Sequence, residues 1–229
     1  LVVKNIVKNM HISIEKCGIG LAHNQYPKQD GATNPYSIFI IDGQDYYSDV
    51  LFEAFINPLI VGYSSEKVGF YHGCLSAIGI GPAKVSTYKE ILIAFFSEDL
   101  TLQVKKYTGM AAIICQHEFN HLATRGTYVD TVNSYINGDR YIHAEESYLD
   151  REEMERDELG KIIEHVVDDI PCLISDETLA KCRKFLINNK LYNDALKQYL
   201  HNHPEDKFLH DNLMALPYTT DTTLYSNET

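Results

Sequence analysis

The chain has little of what would send it to a membrane, to nucleic acid or to an oxidising compartment. Its longest apolar runs, such as Ile91-Leu92-Ile93-Ala94-Phe95-Phe96, are strand-sized and far short of the ~20 residues that a bilayer-spanning helix needs. No membrane partner is expected. The start, at Leu1, shows no charged segment followed by an apolar core and a cleavage site, so a secretory leader is not expected either. Basic residues are scarce, 20 against 32 acidic ones for a net charge of −12, which disfavours nucleic acid as a direct partner. Cysteine occurs five times, at Cys17, Cys74, Cys115, Cys172 and Cys182, without a Cys-x-x-Cys pair. An odd set of that kind fits reduced thiols in the cytoplasm better than a disulfide framework. What remains is a chain of 229 residues, 45% hydrophobic, enough for one moderately large domain or one domain with an appendage.

Ile6 to Glu15 reads as a helix that ends before the glycine-punctuated run Cys17-Gly18-Ile19-Gly20-Leu21-Ala22. Strands follow at Ser37 to Ile41, Phe55 to Asn57 and Lys89 to Phe96, each β-branched or aromatic and bounded by turn residues. Tyr26 to Tyr36, with two prolines and a glycine, reads as a loop. Thr108 is the expected N-cap of a helix running through residue 121. Strands followed by one central helix predict an α+β fold, antiparallel sheets around that helix. Beyond about Thr131 the composition changes. Leu149 to Glu158 is acidic, Lys161 to Ile170 is amphipathic, and Ser175 to Leu200 reads as two helices broken near Asn188-Asn189. That pair is faintly similar to one tetratricopeptide hairpin, but a single copy builds no solenoid, and a helical appendage is the simpler expectation. The tail from Thr219 is polar and expected to be mobile. Residues 1–132 are therefore read as the catalytic domain and residues 133–229 as a helical C-terminal extension.

The chemistry is concentrated in His117-Glu118-Phe119-Asn120-His121. On a helix, residues i and i+4 share a face, so both imidazoles can reach one divalent ion with Glu118 beside it as a base. Met110, Ile113, Ile114, His117 and His121 continue a single apolar stripe, which predicts that the histidines face the interior. Buried imidazoles need partners, because an unsatisfied polar group costs roughly 2 to 7 kcal/mol by transfer scales. A shared metal satisfies both. A catalytic site of this kind takes three protein ligands and leaves a position open, and Cys74, in Gly73-Cys74-Leu75-Ser76, is the candidate third ligand.

Three stretches taken together are more specific than the pentad. Gly18-Ile19-Gly20-Leu21-Ala22-His23-Asn24-Gln25, His72-Gly73-Cys74-Leu75-Ser76 and Gln116-His117-Glu118-Phe119-Asn120-His121-Leu122 resemble, in order, the GxGLAxxQ, EGCLS and QHExDHL motifs of the peptide deformylases. The resemblance covers roughly Ile6 to Val132. It implies that Cys74, His117 and His121 bind one divalent metal, Fe(II) natively, with zinc, nickel or cobalt able to substitute. It implies that Glu118 moves the proton, that the Gln25 amide and the Leu75 backbone N–H stabilise the oxyanion, and that formate leaves an N-formylmethionyl peptide or nascent chain, with the ribosome as a conceivable partner. It puts Ile19, Met110, Ile113 and Ile114 around a methionine pocket, and Gly20 where substrate backbone comes close.

Three departures from the family pattern all remove charge. His72 stands where Glu is usual, Asn120 where Asp is usual, and the strand after Ser76 lacks the family's arginines. An intact metal site with altered electrostatics around its ligands is expected, with His72 either a partner of one ligand or, the favoured reading, merely a loop residue. His23 and Asn24 predict a more polar entrance. A related N-formyl or N-acyl amide hydrolase with another substrate, or a metal-bearing interaction protein, remains open as an alternative, whereas a zinc endopeptidase is disfavoured by the Gly-Cys-Leu-Ser stretch.

Overall fold

The structure is a computed structural model that describes residues 2–14, 18–25, 36–77, 83–135 and 170–217. Helix α1 (Val2–Ile14) is followed by β1 (Gly20–Ala22), β2 (Ile38–Ile41), β3 (Glu53–Tyr63), β4 (Lys67–His72), β5 (Ala83–Tyr88), β6 (Glu90–Phe96) and β7 (Leu102–Thr108). Then come the central helix α2 (Gly109–Thr124), α3 (Tyr128–Tyr135), and three helices of the C-terminal part, α4 (Asp176–Asn188), α5 (Lys190–Asn202) and α6 (Lys207–Met214). Five strands form one antiparallel sheet in the order β1-β2-β3-β6-β7, and β4 and β5 form a separate antiparallel ribbon. The fold is α+β, with antiparallel sheets around a central helix.

β2 is buried along its whole length, and its alternation divides the interior. Phe39 and Ile41 join the main core with α2, while Ile38 and Ile40 pack with Val7, Met10 and Ile14 of α1. Successive side chains point to opposite faces of a strand, so both faces of the sheet are covered here. Thr108 occupies the N-cap position of α2 with extended backbone, yet its hydroxyl caps nothing. Gln116 ties α2 to the ribbon instead. Its Nε2 donates to the Tyr88 carbonyl at 2.8 Å and its Oε1 accepts from the Tyr88 amide at 2.8 Å, so one buried side chain extends the ladder of β5 as a strand would.

Three strands, β1, β4 and β7, were not expected from the sequence, and β3 is far longer than Phe55 to Asn57. β3 passes through Asn57, whose φ of 49° marks a register irregularity just before Pro58. β7 is an edge strand whose exposed lysines mask a strand pattern. In the C-terminal part, Ser175 caps α4 through the Thr178 amide at 3.2 Å, and Asn189 separates α4 from α5 and accepts from the Tyr192 amide at 3.4 Å. The acidic stretch, most of the amphipathic one and the polar tail lie outside the described residues.

Leu179, Cys182, Leu186, Tyr192, Leu196, Leu209 and Leu213 from α4 to α6 belong to the same apolar core as β3, β6 and α2. Polar anchors hold the contact. Asp206, 2% exposed, accepts from Lys106 Nζ of β7 at 2.6 Å and from the Tyr199 hydroxyl at 2.8 Å, so its charge is paired. Asn212 Nδ2 donates to the Tyr63 carbonyl at 2.8 Å, and the Tyr63 hydroxyl donates to the Asn212 carbonyl at 3.1 Å. Gly62 lets α6 lie this close: a Cβ there would meet the Leu209 carbonyl carbon at 2.9 Å and the His210 nitrogen at 3.0 Å. Those are backbone atoms and cannot swing aside. Gly62→Ala is therefore expected to lower stability by about 1 to 3 kcal/mol, read as an earlier thermal midpoint, whereas an unshifted midpoint would show that α6 is not held against β3.

Candidate metal centre

The chain leaves β3 at Tyr63, runs out and back as the β4–β5 ribbon, and returns as β6. The turn at the ribbon's end carries Cys74 toward the face of α2 that bears His117 and His121. His121 Nε2 lies 3.3 Å from His117 Nε2 and 3.4 Å from Cys74 Sγ, and the three donor atoms all fall within 4.8 Å of one another. One soft sulfur and two imidazole nitrogens converging on one point, with no lysine or arginine among the described residues paired to them, fit a single divalent cation. His203, Glu205 and Asp206 also cluster, but the buried Asp206 carboxylate is already held by Lys106 and Tyr199.

The protonation states favour ligation by the imidazoles and oppose it at the thiol. Burial holds His117 well below the usual imidazole range, helped by the neighbouring His72 and His121, and burial also lowers His121. Both are neutral and ready to ligate. Burial pushes the Cys74 thiol up, and the nearby Glu118 adds to that. Glu118 is itself 4% exposed, and burial pushes its carboxyl up to about 8, against the opposing pull of the Ala22 backbone amide. Its Oε2 has no hydrogen-bond partner among the described residues. Gly20 is the seat of this carboxylate, since a Cβ there would come within 2.6 Å of Glu118 Oε1. The close approach at Gly20 in this structure is thus made by Glu118.

Gln25, at the end of a single 3-10 turn after β1, reaches into the same space. Its Nε2 is 3.0 Å from Ser76 Oγ, 3.1 Å from His121 Nε2 and 3.7 Å from Cys74 Sγ, while its Oε1 accepts from the Ala22 amide at 2.7 Å. Leu75 follows Cys74 in another 3-10 turn, Leu75–Ala77, with its side chain exposed. Met110, Ile113 and Ile114 are buried in the main core, and Ile19 packs against that core from a partly exposed position. A separate apolar cavity of about 640 Å³ is lined by Phe119 and Ala123, on the other side of α2, together with Phe96, Phe185 and Tyr192.

Two expectations about neighbouring residues change. His72 is not a loop residue: it ends β4, is 5% exposed, and its Nδ1 lies 3.0 Å from His117 Nδ1. Pairing with Ala83 fixes it there, a register that could not be read without knowing that β4 and β5 are strands. Asn24 is not merely an entrance group, because its Nδ2 donates to the His121 carbonyl at 2.6 Å and so ties the first loop to α2. Asn120 is buried, and its side-chain oxygen faces the Thr124 hydroxyl of its own helix at 3.5 Å.

A sequence profile described as polypeptide deformylase matches residues 2–136. Peptide deformylase 2 of Nostoc sp. is 29% identical over 141 residues, which cover 59% of this chain and 74% of that one. The peptide deformylase of Pediococcus pentosaceus is 31% identical over 121 residues, covering 52% of this chain and 62% of its own length, so less than two thirds of that relative is spanned. Among solved structures, a variant of Arabidopsis thaliana peptide deformylase 1B superposes with a TM-score of 0.51 at 23% identity, over 72% of this chain and 86% of that one, a likeness of fold.

Ligation at Cys74 must displace a proton held by a thiol whose pKa is raised, whereas the two histidines have none to lose. Raising the pH toward the thiol pKa therefore favours binding. Apparent zinc affinity is expected to climb by about tenfold per pH unit from pH 6 to 8 for that proton. Competition against a chelator measures it, and a pH-independent affinity would exclude a thiolate ligand.

Proposed function

The chain belongs to the polypeptide deformylase family, and from that premise we propose that Glu118, Gln25, Leu75 and the Cys74–His117–His121 cluster remove the formyl group from N-formylmethionyl peptides, releasing formate. The observation that carries this reading is the convergence of a buried carboxyl, a side-chain amide and three metal-type donors on one small space.

Cys74, His117 and His121 would hold a divalent cation, whose Lewis acidity would act on an amide carbonyl and on water. Glu118 does the proton work. Held near neutrality by burial, its carboxyl can take a proton from the attacking water and give it to the departing amine as the formyl C–N bond breaks. Water oxygen ends in formate, and the proton on the new N-terminus. Gln25 Nε2 is within reach of the reacting oxygen because the Ala22 amide fixes its other end. With the backbone N–H of Leu75 it would form the pair of donors that a tetrahedral oxyanion requires. Gly20 keeps the space that Glu118 occupies.

Ile19, Met110, Ile113 and Ile114 supply the apolar surface suited to a methionine side chain, which is recognised by area and shape. A soft thiolate with two imidazoles suits Fe(II) as the working ion, with zinc, nickel or cobalt able to replace it. The substrate would be a formylated nascent chain, which puts the reaction in the cytoplasm and its source at the ribosome. No helix among the described residues is long and apolar enough to cross a membrane. The family match ends at residue 136, which supports residues 1–132 as the catalytic unit and residues 133–229 as an extension.

Nickel-loaded protein is expected to release formate from a formyl-Met peptide, with Glu118→Ala slower by about 10²- to 10⁴-fold. Gln25→Ala is expected to lose about 10²- to 10³-fold, mainly in kcat, since its donor acts on charge that develops in the transition state. A Glu118→Ala protein that keeps the parent's formate release would sink this reading.

A further inference from the structure

His72 meets the metal centre through the back of a ligand. His117 turns its Nε2 toward His121 and Cys74, and its other nitrogen, Nδ1, lies 3.0 Å from His72 Nδ1. The two rings are nearly coplanar, at 8°, with centroids 5.3 Å apart. That separation is the nitrogen contact plus a ring radius on each side, so the rings meet edge to edge along the line on which an N–H···N bond is strongest. Face-to-face stacking would bring the centroids closer than this.

Only one of the two facing nitrogens can carry the proton. For His117 to offer Nε2 as a ligand, its Nδ1 must hold the hydrogen, which leaves His72 Nδ1 as the acceptor and places the His72 proton on Nε2. His72 Nε2 is buried and has no partner among the described residues. The side chain at 72 therefore leaves one donor unsatisfied while serving His117, and the peptide deformylase motif has a glutamate, a charged acceptor, at this place.

We propose that His72 is a positioning residue that fixes the tautomer and orientation of His117 as a neutral acceptor, so that the cation is held by a less electron-rich imidazole than a carboxylate at 72 would produce. The inference rests on the metal-site reading above. Its consequences fall on metal affinity and on the ligand field, both of which can be read without turnover.

Zinc affinity by chelator competition and the visible spectrum of the cobalt-loaded protein test it in three variants. His72→Phe removes the acceptor while filling the space, and zinc affinity is expected to fall by about 10- to 100-fold with a shifted cobalt band. His72→Gln keeps an acceptor oxygen and is expected to recover most of that loss. His72→Glu restores the family's charge and is expected to bind zinc more tightly than the parent. Equal affinities and spectra in all the variants that fold would overturn the proposal, as would Gln binding no better than Phe, which would assign His72 to shape alone. A parent chain that binds no zinc would overturn the metal-site reading itself, whereas a binding parent with unmoved variants would remove only the role given to His72.

Discussion

Burial of a polar helix face is the constraint around which the rest of the structure is arranged. α2 brings His117, Glu118 and His121 into the interior, each almost fully or largely removed from water. Left alone, those groups would cost more than the packing around them returns, because buried polar atoms are tolerated only when they are bonded, ligated or neutral. The surroundings supply all three remedies. The imidazoles are neutral and converge with Cys74, burial raises the Glu118 carboxyl to about 8, and the Gln116 amide bonds both the Tyr88 backbone and the Ala112 carbonyl.

The same constraint explains why the functional groups come from distant stretches. A helix can carry two donors on one face but cannot fold back to supply a third. The β4–β5 ribbon brings Cys74 across, and the turn after β1 brings Gln25. Asn24 then fastens that turn to α2 at the His121 carbonyl, which also receives the Arg125 amide that ends the helix. Gly20 completes the fit by absence of a side chain. The site is therefore set by contacts between three segments, and moving any one of them shifts reacting groups relative to the others.

The C-terminal helices take part in the same economy from the far side. They bury their leucines against β3 and β6 in a core continuous with the one that supports α2, and their polar contacts are made to strand backbone and to Lys106. Where an isolated antiparallel sheet would leave a broad apolar face to water, α4, α5 and α6 cover it. The sheet, α2 and the C-terminal helices thus share one interior, although Gln25, Cys74, His117, Glu118 and His121 all come from the first part.

The sequence by itself determined the chemistry's vocabulary and the helices α1, α2, α4 and α5, though not α3 or α6. The spacing of His117 and His121, the stripe from Met110, the helix pair broken near Asn188-Asn189 and the α+β class were legible because each is a local pattern with a local physical cause. Strands β1, β4 and β7 were not, since their residues are chosen by neighbours across a sheet and, for β7, by exposure at an edge. Nor was the place of His72. Whether that imidazole lies in a loop or against His117 depends on the register of the β4–β5 ribbon and on the burial that follows from it. Tertiary structure decided that, as it decided that Gly20 makes room for Glu118 and that Asn24 clasps α2, because distances between separate segments are set by packing and cannot be read from the order of residues.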